Sequence, residues 1–230
     1  MDSIRIFGYK SFKKLSVQLH PINLLIGANG AGKSNFLSLF EMLGNIYEKR
    51  LGAYVAQVGG VDKLLYQGRK VTDRIAVSLL IAKSEYDLAL LESDGKLIVE
   101  REVVGCYDDV CPLDLVRKNV ITEFQSESSL KDHKEEDLSN YISQIRKFHF
   151  HDTGRRSPFT ADSHIVNDAY RMYEHGENLA AILYRIQREK PMAYRRIIRV
   201  IQSVAPYFSD FYFQPKPIWC ACNGRISIAL

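Results

Sequence analysis

Apolar and polar positions alternate in short blocks at the start of the chain, with β-prone runs at residues 4–7, 15–19 and 22–26 separated by polar breaks; each run has the length of a strand. The third run leads straight into a glycine-rich stretch. After it, Phe36, Leu37, Leu39, Phe40, Leu43 and Ile46 place apolar side chains nearly all round a helix, which is therefore expected to be buried. From residue 71 to 104 the period becomes two, with Ile75, Val77, Leu79 and Ile81 on one face and Arg74, Ala76 and Ser78 on the other. Asp94-Gly95 lies between the apolar runs 88–91 and 97–99 and marks a tight hairpin. The region reads as an antiparallel meander beside a parallel core.

Residues 105–147 lose this periodicity. They contain Ser-Glu-Ser-Ser at 126–129 and a charged run at 131–137, and are expected to form an exposed connection with little order. Beyond Phe148-His149-Phe150-His151-Asp152-Thr153, two amphipathic helices follow. Leu179, Ile182, Leu183 and Ile186 line the first, and Tyr194, Ile197, Ile198, Ile201, Val204 and Ala205 the second, with Pro191 dividing them. Phe211-Tyr212-Phe213 is expected to be core, and a last β-prone run occupies 218–230. The expected organisation is an amino-terminal lobe over residues 1–147 and a helical lobe with further sheet over 148–230.

Composition narrows the class. With 230 residues, 46% hydrophobic and 25% charged, the chain falls outside the disordered and fibrous classes, and no run approaches the ~20 apolar residues of a membrane span. The amino terminus lacks the basic and apolar regions of a secretory leader, so a cytoplasmic protein is expected. Lys and Arg total 31 against 27 Asp and Glu, a net charge of +4 too small to announce nucleic-acid binding by itself. Cys106 and Cys111 are spaced C-x4-C, Cys220 and Cys222 C-x-C; neither is a structural zinc pattern, and reduced thiols are expected.

The chemistry is concentrated in Gly27-x4-Gly32-Lys33-Ser34, a complete P-loop pattern placed after an apolar run and before a helix. Glycines let the backbone curl so that N–H groups converge on phosphate oxygens, and the helix amino end adds positive partial charge. Gly27, Ala28, Asn29, Gly30, Ala31, Gly32, Lys33, Ser34 and Asn35 are the candidate ATP-binding residues. Lys33 is the catalytic candidate, holding the β- and γ-phosphates, and the Ser34 hydroxyl is the candidate ligand for Mg²⁺.

The run Gly27-Ala28-Asn29-Gly30-Ala31-Gly32-Lys33-Ser34-Asn35-Phe36-Leu37, preceded by Ile4-Arg5-Ile6-Phe7-Gly8-Tyr9-Lys10-Ser11-Phe12, resembles the amino-terminal lobe of ABC-type ATPases related to RecF, RecN and the SMC proteins. Within that group, residues 148–153 and Gly176-Glu177-Asn178-Leu179-Ala180-Ala181 look like the bacterial predicted ATPases grouped as AAA family or RecF-like. The resemblance implies an α/β P-loop NTPase with a mixed sheet, an antiparallel β lobe and a helical lobe. It implies ATP and Mg²⁺ as ligands and a homodimer formed through nucleotide, with DNA or a nuclease as further partners and DNA maintenance or antiphage defence as the setting. It also implies that Lys10-Ser11-Phe12-Lys13 lies near base and ribose, so Phe12 and Lys13 join the candidate binding residues; a packed core role competes for Phe12. Gln57 and Gln67 are candidates for the family's Mg²⁺-sensing glutamine.

Hydrolysis also needs a carboxylate at the end of an apolar strand and a neighbouring Glu. No four apolar residues precede an Asp-Glu pair here; Asp108-Asp109 and Glu135-Glu136-Asp137 have other contexts, and no Ser-x-Gly signature loop is found. The expectation is a first lobe whose partner half lies beyond residue 230. The rival reading is a nucleotide-gated interaction module that binds ATP without hydrolysing it and serves a partner such as a nuclease. A small-molecule kinase is disfavoured by the β meander. Two weaker constellations each admit two readings: His149, His151 and Asp152 as metal ligands or as a strand end with a cap, and Arg185, Arg188, Lys190, Arg195, Arg196 and Arg199 with Arg155 and Arg156 as a phosphate-binding surface or as solvated helix faces; the cap and the solvated faces are favoured.

Overall fold

The computed structural model describes residues 1–107, 115–133, 136–148, 163–164, 169–213, 223–224 and 226–229. They fall into two compact units, Met1–Arg146 and Lys147–Leu230.

In the first unit, β1 (Ser3–Tyr9), β2 (Phe12–Gln18), β3 (Arg74–Ile81), β4 (Ser84–Ser93), β5 (Lys96–Tyr107) and β6 (Leu115–Gln125) form one six-stranded sheet in the order β2-β1-β3-β4-β5-β6. Every pairing in it is antiparallel, so the mixed sheet and parallel core expected from the sequence are not found among the described residues. The period-two reading of β3 holds: Ile75, Val77, Leu79 and Ile81 are buried. Asp94 (φ 50) and Gly95 (φ 77) make the β4–β5 turn, both in the left-handed region that a two-residue hairpin of matching twist requires.

Helix α1 (Lys33–Tyr47) packs Phe36, Leu39, Met42, Leu43 and Ile46 into the same cluster as the inward side chains of the sheet. Each such side chain contributes roughly 1.5–3 kcal/mol on burial. Leu37 is half exposed, so the helix has an outer face after all. Helix α2 (Leu51–Gln57), too short to show a period, follows and buries Leu51, Tyr54 and Val55. At the end of β1 the fold requires a glycine. Gly8 has φ +72, and a Cβ there would stand 2.1 Å from the backbone oxygen of Arg74.

Two expectations fail. Residues 22–26 form no strand, and Ile22, Leu24 and Ile26 are more than 80% exposed. An apolar run becomes a strand only where a neighbour completes its ladder, and β1 is already paired on both edges by β2 and β3. The run is also preceded by a turn, in which Asn23 accepts from the His20 N–H at 2.9 Å and donates to its carbonyl at 2.6 Å.

Residues 105–147, read as a poorly ordered connection, hold the end of β5, strand β6, a 3-10 turn at Leu130–Asp132 and helix α3 (Glu136–Ser143), with Leu130, Leu138 and Ile142 buried. Register shifts explain the misreading. Against β4, Ala89 faces Arg101 and Leu90 faces Val99, leaving Glu100 as the extra residue of a bulge; β5 and β6 shift again between Glu102 and Val103 and between Cys106 and Tyr107. The first shift resets the alternation so that Glu102, opposite the buried Leu88, turns inward.

Glu102 is fully buried. Its carboxylate accepts hydrogen bonds from Tyr86 Oη at 2.6 Å, Thr122 Oγ1 at 2.7 Å, Ser128 Oγ at 2.6 Å and the Ser129 N–H at 3.1 Å. Donors rather than a cation hold it, which explains why Thr122 and Ser128 are polar and buried. Burial first, then the charge of Glu102, push the Tyr86 hydroxyl well above its ordinary pKa, so it stays a donor. The clamp fixes the segment from which Glu127 accepts from the Leu51 N–H at 3.0 Å, capping α2.

In the second unit, α4 (Leu179–Glu189) and α5 (Pro191–Val204) are the two helices read from the sequence, with Pro191 in the first turn of α5. The buried Asn178 sets the turn before α4, donating to the Arg171 carbonyl at 2.6 Å and accepting from the Tyr173 N–H at 2.8 Å. Strand β8 (Asp210–Phe213) pairs with β10 (Ile226–Ala229), and the short β7 (Ser163–His164) with β9 (Asn223–Gly224). The rings of Tyr184 and Phe213 meet edge to face at 5.8 Å and those of Phe208 and Phe211 at 5.0 Å, but only Phe208 is buried; Phe211 and Phe213 are half-buried and Tyr212 is half exposed, so the run is a partly covered aromatic cluster and not the core expected.

Replacing Glu102 by Leu removes the acceptor from the buried hydroxyls of Tyr86, Thr122 and Ser128 and one acceptor from the Ser129 N–H. We expect a loss of about 3 kcal/mol or more, measured by urea denaturation, with Glu102→Gln retaining part of it because its amide oxygen still accepts.

Candidate functional site

The site is built on the amino end of α1. Gly32 is its N-cap, in the left-handed region at φ 93, and no side chain caps the helix. The first bond of helical type is Phe36 N–H to the Gly32 carbonyl at 2.9 Å, which leaves the N–H groups of Lys33, Ser34 and Asn35 without an acceptor inside the helix. No acidic residue stands in the first turn, so the positive end of the helix dipole is not neutralised locally.

Upstream, the Ala31 N–H bonds the Ala28 carbonyl at 3.2 Å, and Gly30 takes φ +83. These bonds make the curl that the spacing demands. The Lys33 ammonium folds back over it and donates to the carbonyls of Gly27 at 2.6 Å and Ala28 at 2.8 Å. Residues 27–31 are solvent-exposed. Gly32 is fixed by space as well as by φ: a Cβ on it would lie 3.1 Å from Ser11 Oγ and 3.2 Å from the Phe12 ring.

What aims this helix end is a hydrogen-bond network around Ser38. Its hydroxyl donates to the Asn35 carbonyl at 2.8 Å and accepts from Lys10 Nζ at 2.7 Å and from Tyr9 Oη at 2.9 Å, while Tyr54 Oη donates to the Ser38 carbonyl at 3.3 Å. Burial is the main cause that keeps the Tyr9 hydroxyl far above its ordinary pKa, which holds it in the donor form. Asn35 Nδ2 donates to Ser11 Oγ at 2.9 Å, so the first turn of α1 is stitched to the turn between β1 and β2.

Beside this junction opens a cleft of about 1020 Å³, walled by Lys10, Ser11 and Asn35 and by Lys63, Gln67 and Lys70 of the segment after α2. That segment is held by the backbone bonds Lys10 N–H to Leu64 carbonyl at 2.7 Å and Tyr66 N–H to Gly8 carbonyl at 2.9 Å. Asp62 closes it by accepting from the Arg69 N–H at 2.9 Å and from Arg69 Nη2 at 2.9 Å, and these bonds hold the Asp62 carboxyl below its ordinary pKa. With Asp62 and Arg69 paired, the lysines leave the cleft positive.

The structure thus brings together Gly27 to Asn35, Ser11 and Lys10. Phe12 is half-buried beneath Gly32 and packed on the core, which favours its packing role, and Lys13 is exposed on β2 outside the cleft wall. Gln67 lines the cleft and Gln57 does not. Sequence reasoning missed Ser38, Tyr9, Lys63 and Lys70; only the glycines at 59, 60 and 68, which mark a shaped loop, hinted at the last two. His149, His151, Asp152, Arg155, Arg156, Cys111, Cys220 and Cys222 lie outside the described residues. Cys106 is half-buried, and no cluster of three His, Cys, Asp or Glu side chains suited to a metal occurs among the described residues.

The model of a family described as AAA ATPase domain matches residues 1–178, about three quarters of the chain. The chain belongs to that family. No curated protein matches it. The match takes in the whole first unit and runs to Asn178, so the AAA ATPase domain contains the glycine-rich curl, α1 and the cleft. Membership makes it a nucleotide-binding ATPase domain. Among the described residues, no helix of this AAA ATPase domain protein is long and apolar enough to cross a membrane.

Substituting Gly32 by Ala puts a side chain into a left-handed φ and against Ser11 and Phe12. The expected cost is about 1–2 kcal/mol, seen as a lowered thermal midpoint, together with weakened nucleotide binding.

Proposed function

We propose that this domain grips the phosphates of ATP at the amino end of α1 and uses the bound state to drive a conformational cycle. The observation that carries the reading is the uncapped first turn, Lys33 to Asn35, with the Lys33 ammonium held just above it on the Gly27 and Ala28 carbonyls. A phosphate there meets converging N–H groups and a helix dipole of the right sign. Lys33 then exchanges two neutral carbonyl partners for anionic oxygens, which form stronger, charge-assisted bonds. The Ser34 hydroxyl, in the same turn, is assigned to Mg²⁺, which when bound neutralises phosphate charge.

Ribose and base are assigned to the adjoining cleft, where Lys10 and Ser11 belong to the region that the ABC-type resemblance places there. The finer reading follows the same resemblance: a RecF-like ATPase in which nucleotide joins two copies head to head, in DNA maintenance or antiphage defence, working in the cytoplasm. The amino-terminal lobe, residues 1–147, carries the nucleotide, and residues 148–230 form the lobe that responds.

Calorimetry with MgATP tests the grip. We expect Lys33→Ala to weaken binding at least tenfold, a change of about 1.4 kcal/mol, and Ser34→Ala to reduce the dependence of affinity on Mg²⁺. Lys33-dependent phosphate release establishes turnover by this chain; Lys33-dependent binding without release establishes the nucleotide-gated module instead. No heat from well-folded protein would overturn both.

A further inference from the structure

Helices α4 and α5 leave between them an apolar groove of about 520 Å³, floored by Ile186, Ile197, Val200 and Ile201. Along α5 the positions 193, 197, 200 and 204 recur at the spacing of one helix stripe, and the stripe faces water: Val200 is 61% and Val204 85% exposed. Tyr194, on another side of the helix, is buried and so anchors α5 to its own unit by a different face.

The rim of the groove is basic. Lys190 and Arg196 line it without an ion pair among the described residues, and the one acid there, Glu189, is engaged by Arg185 at 3.7 Å. Arg199 adds a further cation one turn along the flank.

We propose that this groove docks an acidic amphipathic helix of a partner protein, its apolar stripe lying along Ile197, Val200 and Val204 and its carboxylates meeting Lys190 and Arg196. Shape and charge select this occupant. Ile197, Val200 and Ile201 of the floor stand at i, i+3 and i+4 along α5, a spacing that complements a helix with the same repeat. A nucleic acid has the charge but no use for an aliphatic floor. A bilayer surface takes up a convex apolar ridge, whereas Ile186, Ile197 and Ile201 of this floor lie half-buried between two helices.

The test uses the whole chain and a fluorescein-labelled synthetic peptide of about 18 residues, with Leu on one helical stripe and Glu elsewhere, against a peptide of the same composition whose stripe is scrambled. The striped peptide is expected to bind at least tenfold more tightly by fluorescence anisotropy. Val200→Asp, and separately Lys190→Glu with Arg196→Glu, should each weaken it at least tenfold. Val200 is exposed, so circular dichroism and thermal melting should be unchanged in that variant. Lys33→Ala should leave peptide binding intact, which separates this proposal from the nucleotide reading. Four results overturn it: equal binding of the scrambled peptide, indifference to Val200→Asp, displacement of the peptide by duplex DNA or anionic phosphatidylserine vesicles, or a dimer in light scattering that Val200→Asp abolishes.

Discussion

Three backbone N–H groups at the start of a helix, with nothing inside the helix to accept from them, are the constraint around which the first unit is arranged. Left to solvent, such an end frays. Here it is held by what lies behind it: Ser38 ties the Asn35 carbonyl to Tyr9, Lys10 and, through its own carbonyl, Tyr54, and Asn35 ties the same turn to Ser11. Tyr9 belongs to β1, which lies inside the sheet, so the first turn of α1 is referenced to one of the best-packed strands. Precision at the exposed loop thus originates in the core.

The buried carboxylate of Glu102 plays a comparable part toward the other edge of the sheet, on β5. A charge there is tolerable because hydroxyl and amide donors converge on it, and those donors come from β4, β6 and the segment after β6. One side chain of β5 therefore couples β4 to β6 and to the segment that follows β6. Through Glu127 that coupling reaches α2, and through Leu130 it reaches the core beneath α1.

Much of this was legible in the sequence, for identifiable reasons. The glycine-rich curl before α1 shows because its geometry is local: Gly30 and Gly32 stand where φ is positive, immediately before a helix. Strand β3, the Asp94-Gly95 turn and the Pro191 boundary show because period two, a left-handed turn and a missing N–H each leave a mark within a few residues. What stayed hidden depends on pairing. The bulge at Glu100 cannot be seen without knowing that Leu90 faces Val99, and without it Glu102, Thr122 and Ser128 look like surface residues. Residues 22–26 mislead in the opposite sense, since apolar composition alone does not say whether a ladder partner exists. The Ser38 network escaped because a serine within a helix has no sequence signature.

Lys33 rests on the loop carbonyls of Gly27 and Ala28. The rotamer freedom of a lysine side chain, about 2 kcal/mol, is then surrendered during folding and not at the encounter. On the proposed reading, an incoming phosphate would meet a cation that has only to trade partners, so the toll on complex formation would be the desolvation of a small pocket instead of the capture of a wandering side chain. Such an arrangement favours quick engagement, and it ties the residence time of the ligand to how readily those two carbonyls reclaim the ammonium.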